Sequence, residues 1–348
     1  MSSQASNTGS TLRAEYIHKY LKKLNRETYY IKPPFKSMPF MLDFVFSMFY
    51  NFFKLMNMRC DYVVIVKPYP NTVLPALLLK SRGAKIIIDI DDLDYGYRKG
   101  FLSGVIRVMQ ASLIKYADIL TTHNTELRKM IIRENPGYKG RTYMLNQCVD
   151  REVFNPRVVN RKNVKEIRRA FPDKKILFYM AHLNIASYLE DILESLRYIN
   201  DNAVLLVAGG GPAWASYVSM ARKLKVNERT VFLGQLPREK AAEYIAAADL
   251  CLVYYKNLPV NTYRASMKLR EYLAMGKNVA ADAVGDIKNF RDYIFLSRPD
   301  PESFAKTVNR AIKSIEKKGK KGYKLILDKY DWKTEITGFY KILCGGLK

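Results

Sequence analysis

Late in the chain, Ser266-Met267-Lys268-Leu269-Arg270-Glu271 sets a hydroxyl, cations and a carboxylate within two turns of an expected helix. Ser266–Lys268 would form its first turn, just after a strand and a loop. The N–H groups of such a turn have no intrahelical acceptor and carry partial positive charge, so they suit a diphosphate. Lys268 is mildly unfavourable there by the helix dipole, and a bound anion removes that conflict. The plainer alternative is a solvated surface lysine. Glu271 follows on the same helix face, where it could also pair with Lys268 or Arg264.

Other residues fall where strands end. Gly209-Gly210-Gly211 closes an apolar run and permits a tight turn or a close backbone approach to a ligand. Gly234 and Gln235 end the next strand, placed to meet a ligand through backbone contacts or simply to turn. In the first half, Asp89-Ile90-Asp91-Asp92 ends a strand, and a carboxylate there could orient a hydroxyl or take its proton. It could equally cap the following turn. His123 ends another strand.

The elements that must hold these residues alternate short β-branched runs with helical periodicity, the pattern of parallel α/β sheets. In the first half, strands are expected at 28–31, 62–66, 85–90, 119–123 and 142–145. Helices are expected at 11–24, 39–56, 73–81, 104–116 and 126–134. A charged connector at 157–170 precedes a second series. Its strands fall at 175–179, 203–208, 230–233, 250–253, 278–281 and 293–296, and its helices at 189–198, 213–224, 238–247, 266–275, 301–317 and 332–343. The expected fold is α/β, with two doubly wound Rossmann-like domains presenting their strand ends to a shared cleft. Residues 1–155 form the first, 156–330 the second, and 331–348 a helix crossing back to the first. A doubly wound domain opens on a hydrophobic strand, yet here a polar segment ending Asn7-Thr8-Gly9-Ser10 leads into a helix. Either the start codon is misplaced or this lobe is built differently.

The second half resembles the family 4 glycosyltransferases, retaining enzymes of GT-B fold that use nucleotide sugars. Several segments match in order over roughly two-thirds of the chain. Asn146-Gln147-Cys148-Val149-Asp150 with Phe154 and Pro156 is similar to the N-G-V-D-x-x-x-F-x-P junction between lobes. Val207–Pro212 resembles the V-G-x-G-P turn, Val231–Gly234 the V-x-F-L-G strand end, and Ala248-Asp249-Leu250 the opening of the next strand. Ser266–Lys277 looks like S-P-x-K-x-x-E-Y-L-A-x-G-K. The resemblance implies a hexosyltransferase-type enzyme with its donor site on Gly210, Gly211, Gly234, Gln235, Arg264, Ser266, Met267, Lys268, Leu269 and Glu271. Lys268 would neutralise the leaving diphosphate and Glu271 would accept from the ribose diol. Asp91, where related enzymes often carry histidine, would be catalytic, and Gly9, Ser10, Asp92 and His123 would lie on the acceptor side. No metal or other cofactor is expected.

The chain also departs from that pattern. The earlier glutamate of E-x7-E, which touches the transferred sugar in the family, is Tyr263 here. The G-R-L-x-x-x-K-G loop reads Ala181–Tyr188, with His182 and Ser187 in place of its two cations. Lys268, with Arg264 or Arg238, would have to supply the charge. A descendant that binds nucleotide sugar or glycan without turnover is the alternative.

Composition narrows the classes further. A formal charge of +25 over 348 residues asks for an anionic partner, unless it reflects a general basic bias. The aromatic-basic clusters of a nucleic-acid module are lacking, which leaves an anionic membrane surface. Arg13, Lys19, Lys22, Lys23 and Arg26 stud the first helix, beside the aromatic-rich 38–58 stretch. That pair suits interfacial docking; core packing with a solvated opposite face is the bland account. Asp43, Ser47, Asn51 and Lys54 interrupt the apolar stretch and argue against a bilayer-spanning helix. The expected location is cytoplasmic, peripheral on the inner face of the membrane, with a glycan or lipid-linked acceptor. The four cysteines lie far apart and fit neither a disulfide framework nor a zinc site.

Overall fold

The computed structural model describes residues 1, 9–24, 26–32, 40–97, 100–200 and 202–345. Asn7 and Thr8 of the expected opening loop lie outside the described residues. The chain divides into two units, residues 1–147 with 332–348, and residues 148–331.

The first unit opens with helices α1 (Gly9–Lys22) and α2 (Phe40–Leu55). Then come β1 (Tyr62–Val66), α3 (Pro70–Lys80), β2 (Lys85–Ile90), α4 (Phe101–Ile114), β3 (Ile119–Thr122), α5 (Thr125–Glu134) and β4 (Thr142–Met144). The strands form one parallel sheet in the order β1-β2-β3-β4. Residues 28–31, expected as a strand, belong to neither of the described sheets. Val63, Ile65 and Ile86 to Ile88 are buried, as strands covered on both faces require.

Arg13 is no surface cation. It is fully buried and donates to Asp89 through Nε at 2.6 Å and Nη2 at 2.9 Å. It also donates to the Leu145 carbonyl at 2.6 Å, and Thr121 Oγ1 donates to Asp89 at 2.6 Å. The guanidinium fork thus ties α1 to the ends of β2 and β4, a geometry lysine could not supply. Only Lys22, Lys23 and Arg26 of the expected basic face are exposed.

The second unit runs α6 (Arg161–Arg169), β5 (Lys175–Met180), α7 (Leu189–Ser195), β6 (Ala203–Ala208), α8 (Trp214–Lys223), β7 (Thr230–Gly234), α9 (Arg238–Ala247) and β8 (Leu250–Val253). It continues with α10 (Met267–Ala274), β9 (Val279–Asp282), β10 (Phe295–Ser297), α11 (Pro301–Lys313) and α12 (Lys318–Lys329). Its parallel sheet has the order β10-β9-β8-β5-β6-β7, so the strand order reverses between β5 and β8. Ligands of doubly wound sheets sit beyond the strand ends at such a switch point.

Two helices of this unit were not expected. Within the supposed connector, Asn160 Oδ1 accepts from the Lys162 and Asn163 N–H groups and starts α6, which packs on α9. The lysine-rich α12 packs on α10 through Gly322 and on the turn just after α10 through Gly319. A Cβ at 319 would lie 2.2 Å from the Lys277 carbonyl oxygen, and one at 322 would lie 2.6 Å from Leu273 Cδ2.

The chain then returns to the first unit with α13 (Trp332–Cys344), where Trp332 stacks on Tyr16 and Glu335 accepts from the Asn146 N–H.

Candidate active site

In the second unit, the start of α10 is fixed by its own sequence. Ser266 caps the helix, its Oγ accepting from the Leu269 N–H at 3.3 Å. Arg270, one turn in, is buried and donates to Asp286 at 2.6 Å and to the Ser266 carbonyl at 3.0 Å. Asp286 also accepts from the Ser266 N–H at 3.2 Å. The Leu269 N–H is therefore engaged within the helix, and its side chain is core. Met267 and Lys268 place their N–H groups ahead of it, in the first turn, where helices have no internal acceptor.

Lys268 is half-buried between two rings of the switch point. Its Nζ lies 4.4 Å from the Tyr179 centroid and 5.9 Å from that of Tyr255, and it donates to Tyr179 Oη at 3.3 Å. Burial, with the Arg264 cation nearby, pushes its pKa down from 10.5 to about 7. Arg264 lies 4.2 Å over Tyr255 and donates to the Ala186 carbonyl at 3.2 Å. The fold thus gathers Ser266, Met267, Lys268 and Arg264 at one end of the sheet.

Asp282, the last residue of β9, belongs to this cluster and was missed by sequence reasoning. Its Oδ1 accepts from the Tyr255 N–H at 2.6 Å, while Oδ2 is buried without a partner. Burial raises its pKa to about 8, against backbone hydrogen bonds and the pull of Lys268 and Arg264. The signal was present: an acid closing an otherwise apolar strand, the logic already applied to Asp89–Asp92.

Glu271 pairs with neither Lys268 nor Arg264. Its nearly buried carboxylate accepts from Arg238 at the start of α9, whose guanidinium lies 4.8 Å over Phe154. The glycines serve chain packing first. With φ of 138° and 149°, Gly209 and Gly211 pass so close to the 181–183 loop that a Cβ would lie 1.8 Å from the Ala181 oxygen or 2.4 Å from that of Leu183. Gly234 accepts from the Gly209 N–H at 2.8 Å, and exposed Gln235 lies beside Gly210. In that loop His182 is exposed, and Ser187 is buried with Oγ 2.9 Å from Tyr217 Oη. Tyr263 lies half-buried in a short 3-10 turn (Pro259–Tyr263).

In the first unit, burial pushes the Asp91 pKa up to about 6, against the pull of Lys67, and Ser10 hydrogen-bonds its side chain. Lys67 pairs with Asp94 at 2.5 Å. Asp92 serves the turn, its Oδ1 accepting from the Leu93 N–H at 2.9 Å and Tyr97 Oη at 3.1 Å. His123 is buried just beyond β3, and Gly9 is exposed at the start of α1. Among the described residues no group of three or more His, Cys, Asp or Glu side chains is arranged to hold a metal ion.

Residues 160–324 match the family model described as glycosyl transferases group 1. A 105-residue stretch is 24% identical to N-acetyl-alpha-D-glucosaminyl L-malate synthase of Bacillus anthracis, covering 29% of this chain and 27% of that protein. Among solved structures, the Anabaena protein HepE in complex with UDP and glucose is similar over 99% of this chain and 98% of its own, with TM-score 0.77 and 12% identity. WaaG, a glycosyltransferase involved in lipopolysaccharide biosynthesis, is similar over 99% of each chain, with TM-score 0.72 and 16% identity. These likenesses show a GT-B fold of two Rossmann-like domains. The match to glycosyl transferases group 1 falls within the second unit, and the solved structures show the fold that both units share with them.

Proposed function

We propose that this chain is a retaining, family 4 glycosyltransferase that moves a sugar from a nucleotide-diphosphate donor to a glycan or lipid-linked acceptor at an anionic membrane surface. One observation carries the reading: the first turn of α10 presents Lys268, its pKa lowered by burial, beside Arg264 at the sheet's switch point. A diphosphate is the ligand that such a cradle fits. As the donor bond breaks, charge develops on the leaving phosphate, and fixed cations and N–H groups stabilise it without rearranging. The reading assigns this work to the protein and asks for no metal. Glu271, shared with Arg238, takes the ribose; Asp91 orients the acceptor hydroxyl. That HepE was solved with UDP and glucose supports a nucleotide-sugar donor.

A thermal-shift panel of nucleotide sugars tests the donor site. At a hundredfold excess over Kd, binding adds about 2.7 kcal/mol to stability, so one donor should raise Tm by several degrees and Glu271→Gln should reduce that shift. A folded protein whose Tm moves with no nucleotide sugar would sink the assignment. The second reading, binding without turnover, draws on Ser187 being buried against Tyr217 and Tyr263 standing where a glutamate is usual. Assays of donor hydrolysis and transfer separate the two.

The membrane part rests on α2, which is built inside out. Ser47, Asn51 and Leu55 are buried, and Asn51 Nδ2 donates to the Asn71 carbonyl at 2.7 Å. Phe46, Phe49, Phe52 and Phe53 are exposed on the opposite side, as are Phe101, Leu102, Val105 and Val108 of α4. Exposed apolar stripes on a strongly basic chain match an interfacial lipid surface. Among the described residues, no helix is long and apolar enough to cross a membrane. Co-sedimentation with liposomes containing phosphatidylserine should be strong at low salt, and Phe49→Asp with Phe53→Asp should weaken it at least tenfold. Equal sedimentation of both proteins would remove the membrane from the proposal.

A further inference from the structure

The turn between α11 and α12 holds an apolar side chain out in water. Ile315 is 94% exposed, more than any other large apolar side chain among the described residues. Single exposed apolar residues are ordinary, so the backbone and the charges around this one decide its meaning. Ser314 Oγ accepts from the Glu316 N–H at 3.0 Å. Asn278, just ahead of β9, donates through Nδ2 to the Glu316 carbonyl at 3.0 Å and accepts through Oδ1 from the Gly319 N–H at 3.0 Å. The turn is thus fastened at residues 316 and 319. A side chain presented from a fastened turn docks with little further ordering cost.

Its surroundings are cationic. Residues 313–324 contain six lysines and a single acid, Glu316, which reaches only Lys318, at 3.9 Å. Lys313, Lys317, Lys320, Lys321 and Lys324 are exposed, and no acid among the described residues pairs with them. On α12, Gly319, Gly322 and Ile326 are buried, while Lys320 and Lys324 stand one turn apart on the exposed side, where like charges repel. The first turn of α12 holds no acid, so its lysines also sit at the positive end of the helix dipole. Both arrangements cost stability in water, and an anionic layer relieves them together. A soluble polyanion would satisfy the lysines and leave Ile315 wet. An anionic lipid surface takes both.

We propose that the α11–α12 turn is a lipid-contact site of the second unit. Ile315 enters the acyl boundary of an anionic membrane, while Lys313, Lys317, Lys320, Lys321 and Lys324 meet its phosphate headgroups. The site stands on the second unit alone and does not depend on the exposed stripes of α2 and α4.

Full-length Ile315→Trp protein tests the contact. Vesicles of brominated phosphatidylcholine with phosphatidylserine should quench its fluorescence beyond the baseline that Trp214 and Trp332 set in the wild-type chain. Vesicles of brominated phosphatidylcholine alone should give no such excess. Each lysine near an anionic surface contributes about 1 kcal/mol, or about fivefold in affinity. Changing Lys317, Lys320, Lys321 and Lys324 together to glutamine should therefore weaken binding to the phosphatidylserine vesicles by about a hundredfold or more at low salt. Ile315→Ser should weaken it about tenfold. All these side chains are exposed, so the variants keep the fold. Absence of excess quenching would overturn the proposal, as would undiminished vesicle binding by the lysine variant. Lysines needed for binding a DNA duplex but not vesicles would assign the surface to nucleic acid and overturn it too. The tryptophan reads position 315 alone, so this result is separable from that of the Phe49 and Phe53 variant.

Discussion

Replacing Lys268 with alanine is expected to lower kcat/KM for the nucleotide-sugar donor by about a hundred- to a thousandfold, the scale seen when one preorganised donor to a developing anion is removed. Steady-state transfer assays check it. The pH behaviour is more diagnostic. In the free protein the Lys268 pKa is lowered to about 7 by burial and by Arg264. A bound diphosphate favours the ammonium form and raises that pKa. Below pH 7 the lysine is charged with or without donor, so affinity does not depend on pH through this group. Above pH 7 a proton must be taken up on binding, and affinity falls about tenfold per pH unit until the complex's own pKa is reached. Calorimetry at pH 8 in two buffers of different ionisation enthalpy should detect uptake of about one proton, absent in Lys268→Ala. A flat affinity profile between pH 7 and 9 in the wild-type protein would contradict the role.

Arg13→Ala is expected to be the most damaging change in the first unit. It leaves Asp89 fully buried without its guanidinium and strips a donor from the Leu145 carbonyl. Breaking a buried pair from one side costs about 3–5 kcal/mol, because the remaining charge is uncompensated. Chemical denaturation followed by circular dichroism measures it. The double change Arg13→Met with Asp89→Asn should recover much of the loss, since no buried charge remains. A single-variant cost below about 1 kcal/mol would place the strut among dispensable contacts.

Sequence periodicity located the parallel strands well, since buried β-branched runs such as 62–66, 85–90, 203–208 and 250–253 have few other readings. It misplaced 28–31, which belongs to neither described sheet. It also passed over α6 and α12, where charged residues hide helices whose packing faces are small or sparse. The segment proposed to hold the donor was visible because Ser266, Lys268 and Glu271 keep a motif spacing. Their partners were not: Asp282, Asp286 and Arg238 come from other elements, and the sheet order that brings them to α10 is not written in any local pattern. Arg13 misled for the same reason. A cation on an amphipathic helix reads as solvated unless the buried acid that receives it is known.

The contact of Gly319 in α12 with the Gly276-Lys277 backbone gives α10, which ends just before it, a fixed heel. A methyl added at 319 must push on the Gly276-Lys277 backbone that follows α10, whereas one at 322 would meet only the tip of the Leu273 side chain. The opposite end of α10 holds Ser266 and Lys268, so a small tilt at the heel would displace the proposed phosphate cradle at the toe. A lysine-rich stretch that looks like idle surface would thereby become a remote adjuster of how tightly the proposed donor is gripped.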